Sequence, residues 1–599
     1  MNSVLPAQGP APRSHKTAAL AGVLTVLIAL ILADILLYML GVAAAPAALL
    51  SAAGSLGLQW AAKQMDAARF PAIIVAFCMV LFIARVLSMN PAKSGDMNFT
   101  MDDGYIYSNY VVNAAHGHMF EYNIGEKSGG ITGLLWFFAQ IPVFKLISLA
   151  VSDLRALHYT AYALSFVCMA CAALVMYQFA RRLYSSVWVA AVVTLLVAAD
   201  PQLLWGAVSG LELPLSTLYV LLMFWAAWES VEEMTGDQAT ADARQRRRFF
   251  RVLLVSLSLL AFWVRPLFEM MTLGVAMALA LEARRRTDQE RSALRALSRS
   301  VAVTTCIGVV LGCALYLGET GRIFPASYYA KVGTINLWAG IWSNMTGMLQ
   351  LLTPLETLLY GVGALVFVLR WARGDAIRDW LLPAVPLALF LCAKNAALAY
   401  PGQMHRYISP LSPILYLYGL GAALAWMRST IQSSLRSPLD PALTTLVLRL
   451  GFAICLLGCY HTVETQIGPV CGAWVTVRND SGKALGEWIR DHTPETAIIA
   501  AEPIGALHTY CGRATIDIVG LTTPVFAGHY PDWNFTFAEL KRRHADYLVF
   551  YPAWFKSSLG ELPPFIKPYV TGSISGDVPA ESIGSNPIVI YKFDWSQSP

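Results

Sequence analysis

FPAIIVAFCMVLFIARVL, Phe70 to Leu87, is an apolar run of membrane length, and it is followed closely by MDDGYIYSNYVVNAAHGHMFEYN, Met101 to Asn123. A run of about 20 mostly apolar residues is what a helix needs to cross a bilayer. The second stretch is its opposite. It puts two adjacent carboxylates, Asp102 and Asp103, and four tyrosines directly beyond the run. Ionisable groups so close to a span are costly unless they face water, a cavity or a partner. The junction therefore predicts a membrane protein whose polar work is done just outside the apolar layer.

The rest of the chain agrees. Its 599 residues are 56% hydrophobic and 14% charged, against about 25% charged in soluble domains. The first apolar run, Thr17 to Leu40, is too long for a signal peptide and reads as a retained span. After the opening stretch, ten further spans are expected near 157–180, 183–199, 204–228, 251–264, 267–282, 299–317, 349–370, 380–397, 408–427 and 444–463. With one or three spans before Asp102, the total is 11 or 13. The cysteines lie mostly inside apolar runs, where cysteine acts as a small hydrophobe.

Charge sets the threading. Between residues 150 and 450 there are 25 Lys and Arg, and 19 of them fall in one alternating set of loops. That set includes Arg181, Arg182, RQRRRFFR (244–251) and RRRTDQERSALRALSR (284–299). The other set holds six: Arg155, Arg265, Arg322, Lys331, Lys394 and Arg406. The basic set belongs in the cytoplasm. The opening stretch and everything after residue 463 then lie on the far side, periplasmic in a bacterial inner membrane. From about residue 480 the composition changes. SGKALGEWIRDHTPE has helical spacing, and TAIIAAE, ATIDIVG, ADYLVFYP and NPIVIYKF read as strands. The expected organisation is N-terminal spans (1–88), a first outer loop with juxtamembrane helices (89–156), a helical membrane core (157–463) and an outer α/β domain (464–599).

The far-side polar residues include Asp102, Asp103, His116, His118, Glu126, Asp200, Glu212, Arg265, Glu269, Arg322, Lys331, Lys394, His405 and Arg406. Each has an ordinary reading beside a functional one. An Asp-Asp pair at a helix start is often a cap in a favourable dipole field. Asp200 precedes a proline and suits a turn. Single Arg and Lys residues snorkel to headgroups, and Tyr328 and Tyr329 suit an interfacial belt. Glu212, in WGAVSGLELPLSTLYVLL, is the hardest to dismiss because of its burial cost. His116 and His118 lack a partner cluster, so no metal site is expected. Cys471 and Cys511 are the only cysteines clearly in the outer domain, and the oxidising compartment predicts a disulfide between them.

DDGYIYSNYVVNAAHGHMFEYNIGEKSGGITGLLW, DPQLLWGAVSGLE, VRP, FPASYYAKVG, HRYISPLSP, GEWIRDHTPE and IDIVGLT occur in this order from Asp102 to Leu521. Together they resemble GT-C class glycosyltransferases that use polyprenyl-phosphate sugars. The nearest likeness is to the mycobacterial-type terminal arabinofuranosyltransferases and their relatives in other bacteria. The resemblance implies a polytopic helical GT-C-like fold with a C-terminal periplasmic α/β domain. It implies a donor carried on polyprenyl phosphate and a glycan, lipid or protein acceptor. It also implies a catalytic pair, Asp102 and Asp103, with Asp102 favoured as the base. Substrate would be held by Tyr105, Asn123, Glu126, Asp200, Glu212, Arg265, Tyr328, Tyr329, Lys331, His405 and Arg406. The family's RP is commonly followed by an acidic residue; here the sequence is RPLFE, leaving open whether Glu269 takes that place.

The chemistry can be argued without the family. A lipid-borne leaving phosphate wants Arg or Lys, and an attacking hydroxyl wants a carboxylate within hydrogen-bond reach. Neither needs a cofactor, and no residue pattern calls for nucleic acid. Arabinofuranose is the first expectation for the sugar. Mannose or aminoarabinose, delivered to protein or lipid A, is the alternative within the class. A lipid-linked-sugar transporter is the rival outside it, although such folds favour repeated halves and no repeat is visible.

Overall fold

The computed structural model describes residues 98–232, 241–331, 378–397, 406–426, 481–502, 504–529, 532–550, 566–574 and 589–596, with a few isolated positions between 342 and 368. The described chain is mostly helical, with one small sheet domain near the C-terminus. The N-terminal runs, nearly all of the expected span at 349–370, the span at 444–463, and His405 lie outside the described residues.

The opening stretch folds as α1, Asp102–Ala115. Its two aspartates sit in the first turn, where the helix dipole favours negative charge. It ends at His116, and Gly117 takes the positive φ of 100° that the turn requires. The helical body follows: α2 (Leu134–Ile147), α3 (Asp153–Tyr184), α4 (Val187–Ala198), α5 (Pro201–Ala207), α6 (Leu213–Glu232), α7 (Ala241–Val264), α8 (Phe268–Ala283), α9 (Asp288–Thr320), α10 (Ala326–Lys331) and α11 (Arg378–Ala397). Among the described residues, α3 and α9 are long and apolar enough to cross a membrane, and α4 with α5 counts as a third if the bent pair is one span. That pair turns by 54° at Asp200-Pro201. Asp200 caps α5, its Oδ1 accepting from Gln202 N and Leu203 N at 2.9 Å each.

The long helices carry unlike chemistry at their two ends. Arg182 near the end of α3 and Arg246 near the start of α7 both reach Glu229 near the end of α6, at 3.3 and 2.6 Å. Glu229 is fully buried. At the other end of α6 stands Glu212, and at the other end of α7 stands Arg265, the two 3.5 Å apart. A helix of α6's length spans about 30 Å, the thickness of a bilayer's hydrocarbon core. The basic set and the acidic-cationic set read from the sequence thus sit at opposite ends of the same helices.

The C-terminal domain adds α12 (Ser481–His492), β1 (Ile498–Ala501), α13 (Gly505–Cys511), β2 (Ala514–Asp517), α14 (Trp533–Arg542), β3 (Tyr547–Phe550), β4 (Val570–Ile574) and β5 (Val589–Phe593). The sheet order is β2-β1-β3-β5-β4. β2, β1 and β3 pair in parallel, and β5 pairs antiparallel with both β3 and β4. Four strands are those expected. β4 was not, because VTGSI offers Gly and Ser where a strand signal needs large apolar residues. One sheet face packs Ile516 and Leu548 against Phe537 and Leu540 of α14. The other joins Ile499 and Ala501 to Leu485, Leu507 and Tyr510, in a core continuous with the helical body.

The expected disulfide falls partly outside the described residues. Cys511 is a free, buried thiol at the end of α13, with its Sγ directed at the His508 and Arg513 carbonyls. Burial raises its pKa to about 11, which keeps it protonated. Cys471, its expected partner, is outside the described residues.

Candidate active site

Neighbouring residues on a helix point about 100° apart, and this separates the aspartate pair. Asp102 turns into the C-terminal domain. It is 5% exposed and accepts hydrogen bonds from Gly505 N and Ala506 N, 2.8 Å each, at the start of α13. Gly505 is required there, because a Cβ would collide with the Asp102 carbonyl. Asp103 turns the other way, into a cavity of about 310 Å³, and its Oδ2 lies 2.8 Å from Arg406 Nη1.

The lining has two kinds of surface. Phe262, Met270, Phe324 and Phe390 supply apolar area. Asp103, Glu212, Glu269, Arg265, Lys394 and Arg406 bring three carboxylates and three cations to the same space. Arg406 stands just before the turn Ser409–Leu411, where the prolines of HRYISPLSP set the backbone. Tyr407 organises the cations: its ring lies 4.9 Å from the Arg265 guanidinium, 5.4 Å from that of Arg406 and 5.9 Å from Lys394 Nζ. Such contacts contribute about 0.5–2 kcal/mol each. Arg265 Nη1 also donates to the Arg406 carbonyl at 2.9 Å, which ties the α7–α8 break to the 406 loop.

Tyrosines of α1 support another part of the lining. Tyr107 Oη accepts from Thr132 N at 3.0 Å and Gly133 N at 2.7 Å. Tyr110 Oη accepts from Gly130 N at 3.0 Å. Burial pushes both phenols up, so they remain neutral. They hold the glycine-rich turn at 129–133 against the cavity. The C-terminal domain closes part of the rim with Leu521. The Leu521 loop is pinned by Asp517, which accepts from Val519 N at 2.9 Å and Thr522 N at 2.8 Å.

Of the residues expected to bind substrate, Glu212, Arg265, Tyr328 and Arg406 line this cavity. Tyr329 stands beside it, 5.6 Å from the Tyr328 ring, with Arg322 5.1 Å over its face. Tyr105, Asn123, Glu126 and Asp200 are elsewhere. Tyr105 is buried, donating to Asn98 at 2.9 Å. Asn123 pairs with the edge of β2, donating to Thr515 O at 2.8 Å and accepting from Thr515 N at 2.9 Å. Glu126 meets Arg543 at 2.9 Å. The last two tie the outer loop to the C-terminal domain, and Asp200 is a helix cap. Lys331 ends α10, and its side chain is not among those described. Lys394, Glu269, Tyr407 and Ser327 complete the lining. Lys394 and Glu269 were visible as far-side charges, whereas Tyr407 and Ser327 carried no signal beyond their place beside Arg406 and Tyr328. Among the described residues, no group of three or more His, Cys, Asp and Glu is placed to hold a metal ion.

A crystal structure of ArnT from Cupriavidus metallidurans bound to undecaprenyl phosphate superposes with a TM-score of 0.56 at 14% identity, covering 89% of this chain and 100% of that one. The oligosaccharyltransferase of Archaeoglobus fulgidus, tethered with an acceptor peptide, gives a TM-score of 0.49 at 12% identity over 88% of this chain and 75% of that one. AglB from the same organism, in complex with an inhibitory peptide and a dolichol-phosphate, gives 0.48 at 12% identity, covering 87% and 75%. Residues 473–587 match the model of a domain of unknown function, DUF8728. No curated protein matches the chain in sequence.

Proposed function

We propose that this chain is an integral membrane glycosyltransferase of the GT-C class, moving a sugar from a polyprenyl-phosphate donor to an extracytoplasmic glycan, lipid or protein acceptor. Arabinofuranose is the sugar we assign first. The observation that carries the reading is the mixed lining of the cavity, which combines Asp103 and three cations with the apolar side chains of Phe262, Met270 and Phe390. An amphipathic donor needs such a site: cations for the phosphate and apolar surface for the start of the lipid tail. The fold likeness to ArnT of Cupriavidus metallidurans, which was crystallised with undecaprenyl phosphate, supports the same reading.

In this mechanism the acceptor oxygen attacks the anomeric carbon and the bond from that carbon to the phosphate oxygen breaks. The bonding electrons leave with polyprenyl phosphate. Arg406, Arg265 and Lys394 offset the charge that develops on it. The acceptor proton passes to Asp103, which Arg406 holds in place. Asp102 has both oxygens engaged by backbone amides, so we assign it positioning and give the base role to Asp103. The far-side end of the helices faces the periplasm.

The test is incubation of the purified protein with polyprenyl-phosphate arabinofuranose, aminoarabinose and mannose, with release of polyprenyl phosphate as the readout. Consumption of the arabinofuranosyl lipid alone supports the full assignment. Consumption of another changes the sugar and keeps the class. Consumption of none, with glycan, lipid and peptide acceptors present, rejects the reading.

A further inference from the structure

The cavity is lined by buried polar atoms that lack hydrogen-bond partners among the described residues: Glu212 Oε2, Glu269 Oε2, Ser327 Oγ and Arg406 Nε. A buried, unsatisfied polar atom is costly, so four around one space point to a ligand that supplies the missing bonds. Their kinds differ. Arg406 Nε is a donor and suits the phosphate. The two glutamate oxygens accept, and Ser327 does either.

Glu269 is the most exposed to this argument. Glu212 already faces Arg265 through Oε1, whereas the Glu269 carboxylate makes no ion pair among the described residues. The backbone also aims it. Leu267, just before α8, adopts φ 84°, a left-handed conformation that strains a non-glycine residue. It breaks α7 from α8 and places Glu269 in the first turn facing the cavity.

We infer that Glu269, with Glu212 and Ser327, reads the hydroxyls of the donor sugar, and that the donor is a monosaccharide lipid whose sugar offers hydrogen-bond donors and carries no carboxylate. The inference rests on the proposed transferase reading and narrows its substrate. Size supports it: 310 Å³ is at the small end of ligand cavities, which run to about 1,000 Å³. Charge supports it too. A carboxylate on the sugar would meet the acceptor oxygens of Glu212 and Glu269, which repel it.

The test compares two probes, undecaprenyl phosphate and undecaprenyl-phosphate arabinofuranose, binding to wild type, Glu269→Leu and the isosteric Glu269→Gln, each shown folded by its melting transition. A hydrogen bond to a charged group is worth about 1.5–3 kcal/mol, so Glu269→Leu should weaken the sugar lipid roughly 10–150-fold. Affinity for the sugarless lipid should not change. Glu269→Gln should fall between. Equal loss for both lipids, or loss for neither, overturns the assignment while leaving the transferase reading standing. Wild type that binds neither lipid overturns both. An undecaprenyl-phosphate glucuronate should bind no tighter than the sugarless lipid; tighter binding refutes the exclusion of acidic sugars.

Discussion

At the residue scale, the two adjacent aspartates do different work because a helix sends them in different directions. Asp102 is satisfied by two amides from a domain some 400 residues away in sequence, and Asp103 faces the cavity with Arg406. Their neutral variants should therefore fail differently. Asp103→Asn should lower turnover by about 10²–10⁴ with little change in melting. Asp102→Asn turns an amide NH₂ toward a backbone donor and should cost about 1–3 kcal/mol of stability, read by denaturant titration. Equal effects on turnover and stability in both variants would contradict the division. The pair itself stood out in the sequence, since two carboxylates beside an apolar run demand a reason. Its division did not, because it depends on which way α1 is rotated against α13. The same limit applies to Tyr105, Asn123, Glu126 and Asp200. Their motifs marked them, but only packing decides whether a polar side chain faces a cavity or a neighbouring backbone.

At the element scale, the joint between the outer loop and the C-terminal domain is polar and closely fitted. Tyr122 Oη donates to the Ile504 carbonyl at 3.1 Å, and Asn109 donates to Thr509 at 2.9 Å. Gly505→Ala should loosen this joint, because its Cβ has no space beside Asp102. The expected result is faster amide exchange in α13 and reduced turnover with α3 and α9 intact. Unchanged exchange would refute the joint as a support of the site. His508, on α13, stacks 4.3 Å from the Tyr122 ring, and burial pulls its pKa down to about 4 from an ordinary value near 6.5. A depressed pKa stabilises the fold above the unfolded value and loses that contribution as pH falls through the folded one. Stability should decline between about pH 6.5 and 4, by at most about 3 kcal/mol, since His508 is only partly buried as a residue. Melting of wild type against His508→Gln at pH 7 and pH 4.5 isolates the term. Equal losses in both would contradict it. Most of these elements could be read directly, as apolar runs for the long helices and β-branched runs for four strands. α13 could not, being too short for a periodic signal.

At the scale of the whole molecule, the basic residues and the cavity occupy opposite ends of α6 and α7, and the C-terminal domain belongs to the cavity end. Alkaline phosphatase fused after residue 480 should be active in bacterial cells, and fused within Arg244–Arg251 it should be inactive. The reverse result would invert the threading and put the cavity in the cytoplasm. The long-range charge pattern was legible because it needs no side-chain geometry. The cavity was legible only in part, because Lys394, Tyr407 and Glu269 converge on it from three separate segments. The central claim is that sugar transfer occurs in this cavity with Asp103 as the proton acceptor. Its most direct test is release of polyprenyl phosphate from a polyprenyl-phosphate sugar by wild type, Asp102→Asn and Asp103→Asn, at equal folded concentration. Turnover is expected in wild type, a reduced but measurable rate in Asp102→Asn, and a rate about 10²–10⁴ lower than wild type in Asp103→Asn. A near-native rate in Asp103→Asn would contradict it.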